Sequence, residues 1–143
     1  KARGRGQKLS PTPVRRVADA NGVPTLRPAS VKDPEFAKDV AAVEADLIVV
    51  VAFRILPPEV FTAARFGAFN LHASLLPKYR GRAPVNWALI RNERRGGNST
   101  ILLDEGVDTG APVLMGSIEV RGDEGPEGLE ARILDEADVP PVG

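Results

Sequence analysis

The sequence predicts an α/β fold, with a mostly parallel sheet flanked by helices, and three observations carry that expectation. Segments with strand and helix character alternate at short spacing along the chain, the pattern of strands joined by crossover helices. The run Leu47-Ile48-Val49-Val50-Val51-Ala52-Phe53 is continuously apolar rather than alternating. A strand apolar on both faces belongs inside a parallel sheet covered by helices. The 143 residues, 43% of them hydrophobic, suit one domain with a single core.

The elements follow in order. Residues 1–10 form a glycine-and-charge loop. Thr12 can cap a helix whose first residue is Pro13 and which stops at Asn21-Gly22. Val23–Leu26 is a short strand candidate. Asp33-Pro34 opens a second helix with Phe36, Val40, Ala41 and Val43 as its apolar stripe. After the strand at Leu47–Phe53, Pro57-Pro58 starts a short helix through Val60 and Phe61, and Gly67–Leu71 is a further strand. Ala83–Ile90 reads as a helix with Val85, Ala88 and Leu89 inward. Ser99–Leu103 and Val113–Val120 are strands, and Gly125–Ala137 is an acidic amphipathic helix resting on Leu129, Ile133 and Leu134.

Composition excludes several function classes. There is no cysteine and one histidine, so thiolate and multi-histidine metal sites are out of reach. Leu47–Phe53, the longest apolar run, is far too short to span a bilayer. The N-terminus is basic without the apolar stretch of a signal peptide. These features suit a soluble, cytoplasmic protein. Lys+Arg and Asp+Glu number 19 each, so net charge selects no partner, but its distribution is uneven. Residues 1–18 carry basic side chains and no acid, whereas Glu119–Asp138 is strongly acidic.

In such a sheet, ligands bind beyond the carboxyl ends of the strands. Asn70 and His72 stand two apart near one such end, so both face the same side, with Leu71 turned to the core. The loop Asp104-Glu105-Gly106-Val107-Asp108-Thr109-Gly110 follows the next strand, and its glycines bracket a tight conformation that would hold Asp108. Should the two strand ends be neighbours, a carboxamide, an imidazole and a carboxylate converge. An amide can donate to a developing oxyanion, imidazole carries charge or a proton near neutrality, and a carboxylate accepts a proton. Taken singly, His72 also fits a packed histidine, and the aspartate loop also fits a simple turn or a weak calcium-like loop. Tyr79 and Trp87, each the sole residue of its kind, are expected to pack around the helix at Ala83–Ile90.

Taken together, Asn70-Leu71-His72-Ala73-Ser74-Leu75-Leu76-Pro77, then Tyr79-Arg80-Gly81-Arg82-Ala83-Pro84, then Gly106-Val107-Asp108-Thr109-Gly110 resemble the formyltransferase family that uses 10-formyltetrahydrofolate. The resemblance runs from Gly4 to about Ala137. It implies a Rossmann-like domain and catalytic roles for Asn70, His72 and Asp108: holding the formyl oxygen, stabilising the tetrahedral intermediate and moving the amine proton. It further implies that folate lies beside Ser74, Leu75, Leu76 and Pro77. The pterin would sit between the loop carrying Phe53, Ile55 and Leu56 and the loop carrying Asp104, Gly106 and Val107. No metal is implied.

The segment Arg3-Gly4-Arg5-Gly6-Gln7-Lys8-Leu9-Ser10-Pro11-Thr12-Pro13-Val14 resembles the basic loop that the methionyl-tRNA-specific branch of the family inserts near its active site. By itself it reads more readily as a solvated charge run. The resemblance implies initiator methionyl-tRNA as acceptor, bound by Arg3, Arg5 and Lys8, in a monomeric enzyme of the bacterial cytoplasm or an organellar matrix. Arginines and lysines on flexible glycines suit phosphate tracking. A sugar-nucleotide or other amine formyltransferase, or an inactive module retaining folate or RNA affinity, remains as the alternative. Val51-Ala52-Phe53-Arg54-Ile55-Leu56-Pro57 is one residue shorter than the family's usual version. Residues 1–143 are expected to be a partial catalytic domain, incomplete at both ends: the family's first strand and helix and its C-terminal β-barrel are missing. Weak activity or none is expected of it alone.

Overall fold

The computed structural model describes residues 2–3, 8–9 and 11–137. The chain divides into two compact units, residues 1–30 and 31–143.

In the first unit, β1 (Ala2–Arg3) pairs antiparallel with β2 (Lys8–Leu9). Helix α1 (Pro13–Ala20) begins as expected. The Thr12 hydroxyl accepts the Arg15 backbone N–H at 3.3 Å, and Pro13 occupies a position where its missing N–H costs nothing. Arg15 and Asp19, one turn apart, form an ion pair at 2.6 Å. The strand expected at Val23–Leu26 is absent. Pro24 removes a ladder donor from the middle of that short segment.

The second unit holds a four-stranded sheet in the order β3 (Ile48–Val51), β4 (Ala68–His72), β5 (Arg95–Leu102), β6 (Pro112–Glu119). Helices α2 (Pro34–Ala41), α3 (Pro58–Phe61), α4 (Pro84–Ile90) and α5 (Pro126–Ala137) flank it. Asp33 caps α2, its side chain accepting the Glu35 N–H at 3.0 Å. The α/β class and the flanking helices match expectation, but the mostly parallel sheet needs correction. Only β3 and β4 run parallel; β4–β5 and β5–β6 are antiparallel. A period-2 pattern reports which face a residue takes, not the direction of the neighbouring strand. The continuous apolar run also misled: among the described strands β3 lies at the sheet edge, and Val49 and Val51 are 56% and 50% exposed.

Strand β5 begins at Arg95, four residues before the expected Ser99, and takes in Gly96 and Gly97, where neighbouring elements approach closely. A methyl group on Gly96 would meet Leu129 and Ile133 of α5 at 3.6 and 3.7 Å, and one on Gly97 would overlap the Gly116 carbonyl of β6. The core forms here. Leu129 and Ile133, one turn apart on α5, are 0% and 2% exposed and pack with Val85 of α4. Leu134 is not part of that core, being 44% exposed. Asn98, buried in β5, donates to the Ile133 carbonyl at 3.1 Å and ties the sheet to the last turns of α5. Among the described residues no helix is long and apolar enough to cross a membrane.

Candidate active site

Strand β4 presents Asn70 and His72 on one face, with Leu71 between them turned away. Asp108 arrives by an unexpected route. Because β5 is antiparallel to β4, its carboxyl end lies beside Phe69, near the start of β4 rather than beside its last residue. The loop after β5 therefore folds back across β4 instead of meeting a neighbouring carboxyl end.

Local chemistry shapes that loop. The Leu103 N–H donates to the Ala68 carbonyl at 2.8 Å, anchoring the exit from β5. The Asp104 carboxylate accepts the Gly106 N–H at 3.0 Å and the Thr109 hydroxyl at 2.7 Å. Any side chain on Gly110 would overlap the Leu102 carbonyl, so glycine alone permits the return. Asp108 itself sits at φ 52°, a left-handed conformation that aspartate tolerates better than most residues.

The three polar side chains meet. Asn70 Nδ2 donates to Asp108 Oδ1 at 3.0 Å, and His72 Nδ1 lies 3.5 Å from Asp108 Oδ2. The side chains of His72 and Asp108 are 8% and 12% exposed. The Gly81 N–H adds a contact to Asp108 Oδ2 at 2.8 Å, and Arg80 Nε donates to the Asp108 carbonyl at 3.0 Å. The other imidazole nitrogen, His72 Nε2, lies 2.9 Å from the Tyr79 carbonyl oxygen. Sequence reasoning missed this contribution of the 79–81 loop, since Gly81 N–H and Tyr79 C=O are backbone groups without a residue signature. Nor does Tyr79 act only as packing: it adopts φ 58°, and its hydroxyl donates to Glu93 Oε1 at 2.6 Å. Trp87 is exposed rather than packed.

A cleft of about 560 Å³ opens over the trio. Asn70, His72 and Asp108 line it, as do Phe53, Ile55, Leu56, Asp104, Gly106 and Val107 of the two loops assigned to folate. Leu134 of α5 lines it too, which explains its exposure. Ser74, Leu75, Leu76 and Pro77 are not among the lining residues. Ser74 is buried, its hydroxyl donating to the Lys78 carbonyl at 2.6 Å. The Ser99 hydroxyl donates to the Ser74 carbonyl at 2.7 Å and accepts the Leu76 N–H at 3.1 Å. This buried network fixes the segment that follows His72. Arg3 and Lys8 fall in β1 and β2 of the separate first unit, and Arg5 lies outside the described residues.

The sequence matches the family model described as Formyl transferase over residues 1–139. The chain belongs to the formyl transferase family. Among its curated relatives, methionyl-tRNA formyltransferase of Geobacter metallireducens is 46% identical over 132 residues, covering 92% of this chain and 42% of that protein. The corresponding protein of Chlorobium phaeovibrioides is 50% identical over 131 residues, covering 92% and 41%. The chain thus spans about two fifths of the length of these relatives. Among solved structures, glycinamide ribonucleotide transformylase 1 from Symbiobacterium toebii superposes with a TM-score of 0.75 at 26% identity, over 85% of this chain and 61% of that one. The Rossmann-like formyltransferase domain inferred from the motifs is therefore the observed fold.

Proposed function

We propose that the protein carrying this chain transfers the formyl group of 10-formyltetrahydrofolate to the α-amino group of methionyl-initiator tRNA. The single observation that carries this reading is the meeting of Asn70, His72 and Asp108 at the floor of one cleft. The amine nitrogen attacks the formyl carbon, and the carbonyl π electrons move onto oxygen. The Asn70 amide donates to that oxyanion, and His72 helps stabilise the tetrahedral intermediate. Asp108 takes the proton that the amine nitrogen must lose. Cleavage of the bond from carbon to the folate N10 then restores the carbonyl, and N10 leaves with a proton as tetrahydrofolate.

The donor's pterin is assigned to the cleft between Phe53, Ile55 and Leu56 on one side and Asp104, Gly106 and Val107 on the other. Asp104 and the close approach at Gly110 hold the loop in a tight conformation, which would fix its backbone beside a heterocycle edge. The acceptor rests on the relatives' names and on the basic segment with Arg3, Arg5 and Lys8. Removing three phosphate contacts makes log K fall less steeply with log salt, by close to 0.9 per contact. Replacing Arg3, Arg5 and Lys8 by Ala in the full-length protein should weaken initiator tRNA binding and flatten its salt dependence by roughly two to three units. Formylation of an amino-sugar nucleotide but not of methionyl-tRNA would overturn the acceptor assignment.

A further inference from the structure

We propose that Glu93 is a positioning residue that selects the tautomer of His72: acting through Tyr79 and Lys78, it holds the backbone carbonyl that accepts the Nε2 hydrogen, leaving Nδ1, which faces Asp108, without one. The inference rests on the formyl-transfer reading only for its catalytic consequence; its structural content stands independently.

A carbonyl oxygen can only accept. With the Tyr79 carbonyl 2.9 Å from His72 Nε2, that nitrogen carries a hydrogen. In the neutral ring Nδ1 is then bare, 3.5 Å from Asp108 Oδ2, and a proton arriving between the two makes an ion pair. The opposite tautomer would set a nitrogen lone pair against the Tyr79 carbonyl at hydrogen-bond distance, whereas the Asp108 oxygen facing Nδ1 stands farther off, at 3.5 Å, and already accepts the Gly81 N–H. Everything depends on where that carbonyl points, and Tyr79 holds it in a left-handed conformation, φ 58°, which a tyrosine adopts only when its surroundings impose it.

The surroundings that impose it converge on one carboxylate far along the chain. The Tyr79 hydroxyl donates to Glu93 Oε1 at 2.6 Å, and Lys78 Nζ donates to Glu93 Oε1 and Oε2 at 3.0 and 2.9 Å. Two consecutive residues are thereby clipped to the turn after α4, while Ser74 grips the Lys78 carbonyl from the other side. The electrostatics agree: the hydrogen bond to Glu93 pushes the Tyr79 hydroxyl pKa up, and that bond together with Lys78 holds Glu93 below the usual carboxylate range. The hydroxyl therefore stays a donor and the carboxylate an acceptor throughout the neutral range.

The test uses the full-length protein with a 15N-histidine label, the His72 signals being those that disappear in His72→Gln. Nitrogen shifts at a pH where the ring is neutral should show the hydrogen on Nε2 in the native chain. Glu93→Ala and Tyr79→Phe should each convert this to a mixture of both tautomers, and Glu93→Gln, whose amide oxygen still accepts from Tyr79, should retain most of the native form. A hydrogen on Nδ1 in the native chain, or an unchanged Nε2 tautomer in both Glu93→Ala and Tyr79→Phe, overturns the proposal. Should one of the two lose its dispersed amide spectrum, the other decides. In the full-length protein, Glu93→Ala should lower kcat on the order of tenfold to a hundredfold with little change in KM. A tautomer shift without any formyl transfer in the native protein would remove the catalytic reading and leave the positioning role intact.

Discussion

Replacing Asp108 by Asn removes charge while preserving shape. Asparagine tolerates the left-handed φ of 52° at this position, so the loop after β5 should keep its path. What changes is donor and acceptor balance. The carboxylate accepts from Asn70 Nδ2 at 3.0 Å and from the Gly81 N–H at 2.8 Å, one bond to each oxygen. In the amide one oxygen becomes an NH2 group, so a donor faces a donor at Gly81 or at Asn70, unless the Asn70 carboxamide turns over and gives up its donor role. Losing one hydrogen bond to a charged group costs about 1.5–3 kcal/mol of folding stability, which lowers the thermal midpoint by several degrees. Losing the proton acceptor in the transfer step costs a factor of about 10²–10⁴ in rate. At 1.36 kcal/mol per decade, kcat should fall on the order of a hundredfold to ten-thousandfold. The assay is single-turnover formylation of methionyl-tRNA by the full-length protein at saturating donor, with thermal unfolding of the same samples. A kcat within about threefold of native, equivalent to well under 1 kcal/mol, would refute the assignment of Asp108 as the proton acceptor.

Two further outcomes concern stability. Leu129, 0% exposed at the contact of α5 with α4 and the sheet, should cost about 2–5 kcal/mol when cut to Ala, read as a fall in the unfolding midpoint on the order of 10 °C. Glu124 links the turn before α5 to the helix: it accepts the Arg121 N–H at 2.7 Å and two bonds from Arg132 at 2.7 and 2.8 Å. The backbone N–H of Arg121, then the Arg132 side chain, hold its carboxyl below the ordinary value of 4.5. A depressed folded-state pKa contributes stability above the unfolded value that disappears as pH falls through the folded one. Glu124→Gln should therefore melt lower than the native chain at pH 7, and the gap should close in melts taken in the acid range below 4.5. A gap that widens on acidification would reverse the assigned sign.

Much of this protein is decided locally, and the sequence by itself determined that part. Thr12-Pro13 and Asp33-Pro34 mark helix starts because capping involves groups only two or three residues apart. Asn70 and His72 share a face because strand geometry alternates side chains, and the spacing of two settles it. The glycines of residues 104–110 announce a tight loop, and the ordered motifs together mark the family. Tertiary structure decided the rest. Strand direction was not legible, since antiparallel and parallel neighbours leave the same alternation; the reversal of β5 is why Asp108 reaches Asn70 by folding back over β4. Nor was the partnership of Tyr79, Lys78 and Glu93 legible, because a hydrogen bond between residues some 14 or 15 positions apart is written in neither residue. Nor could the sequence show that the segment Ser74–Leu76 is held by the buried hydroxyl of Ser99 on another strand. Short-range geometry follows from covalent structure and periodicity; contacts that close long loops follow only from the packing of the whole core, which no local pattern encodes.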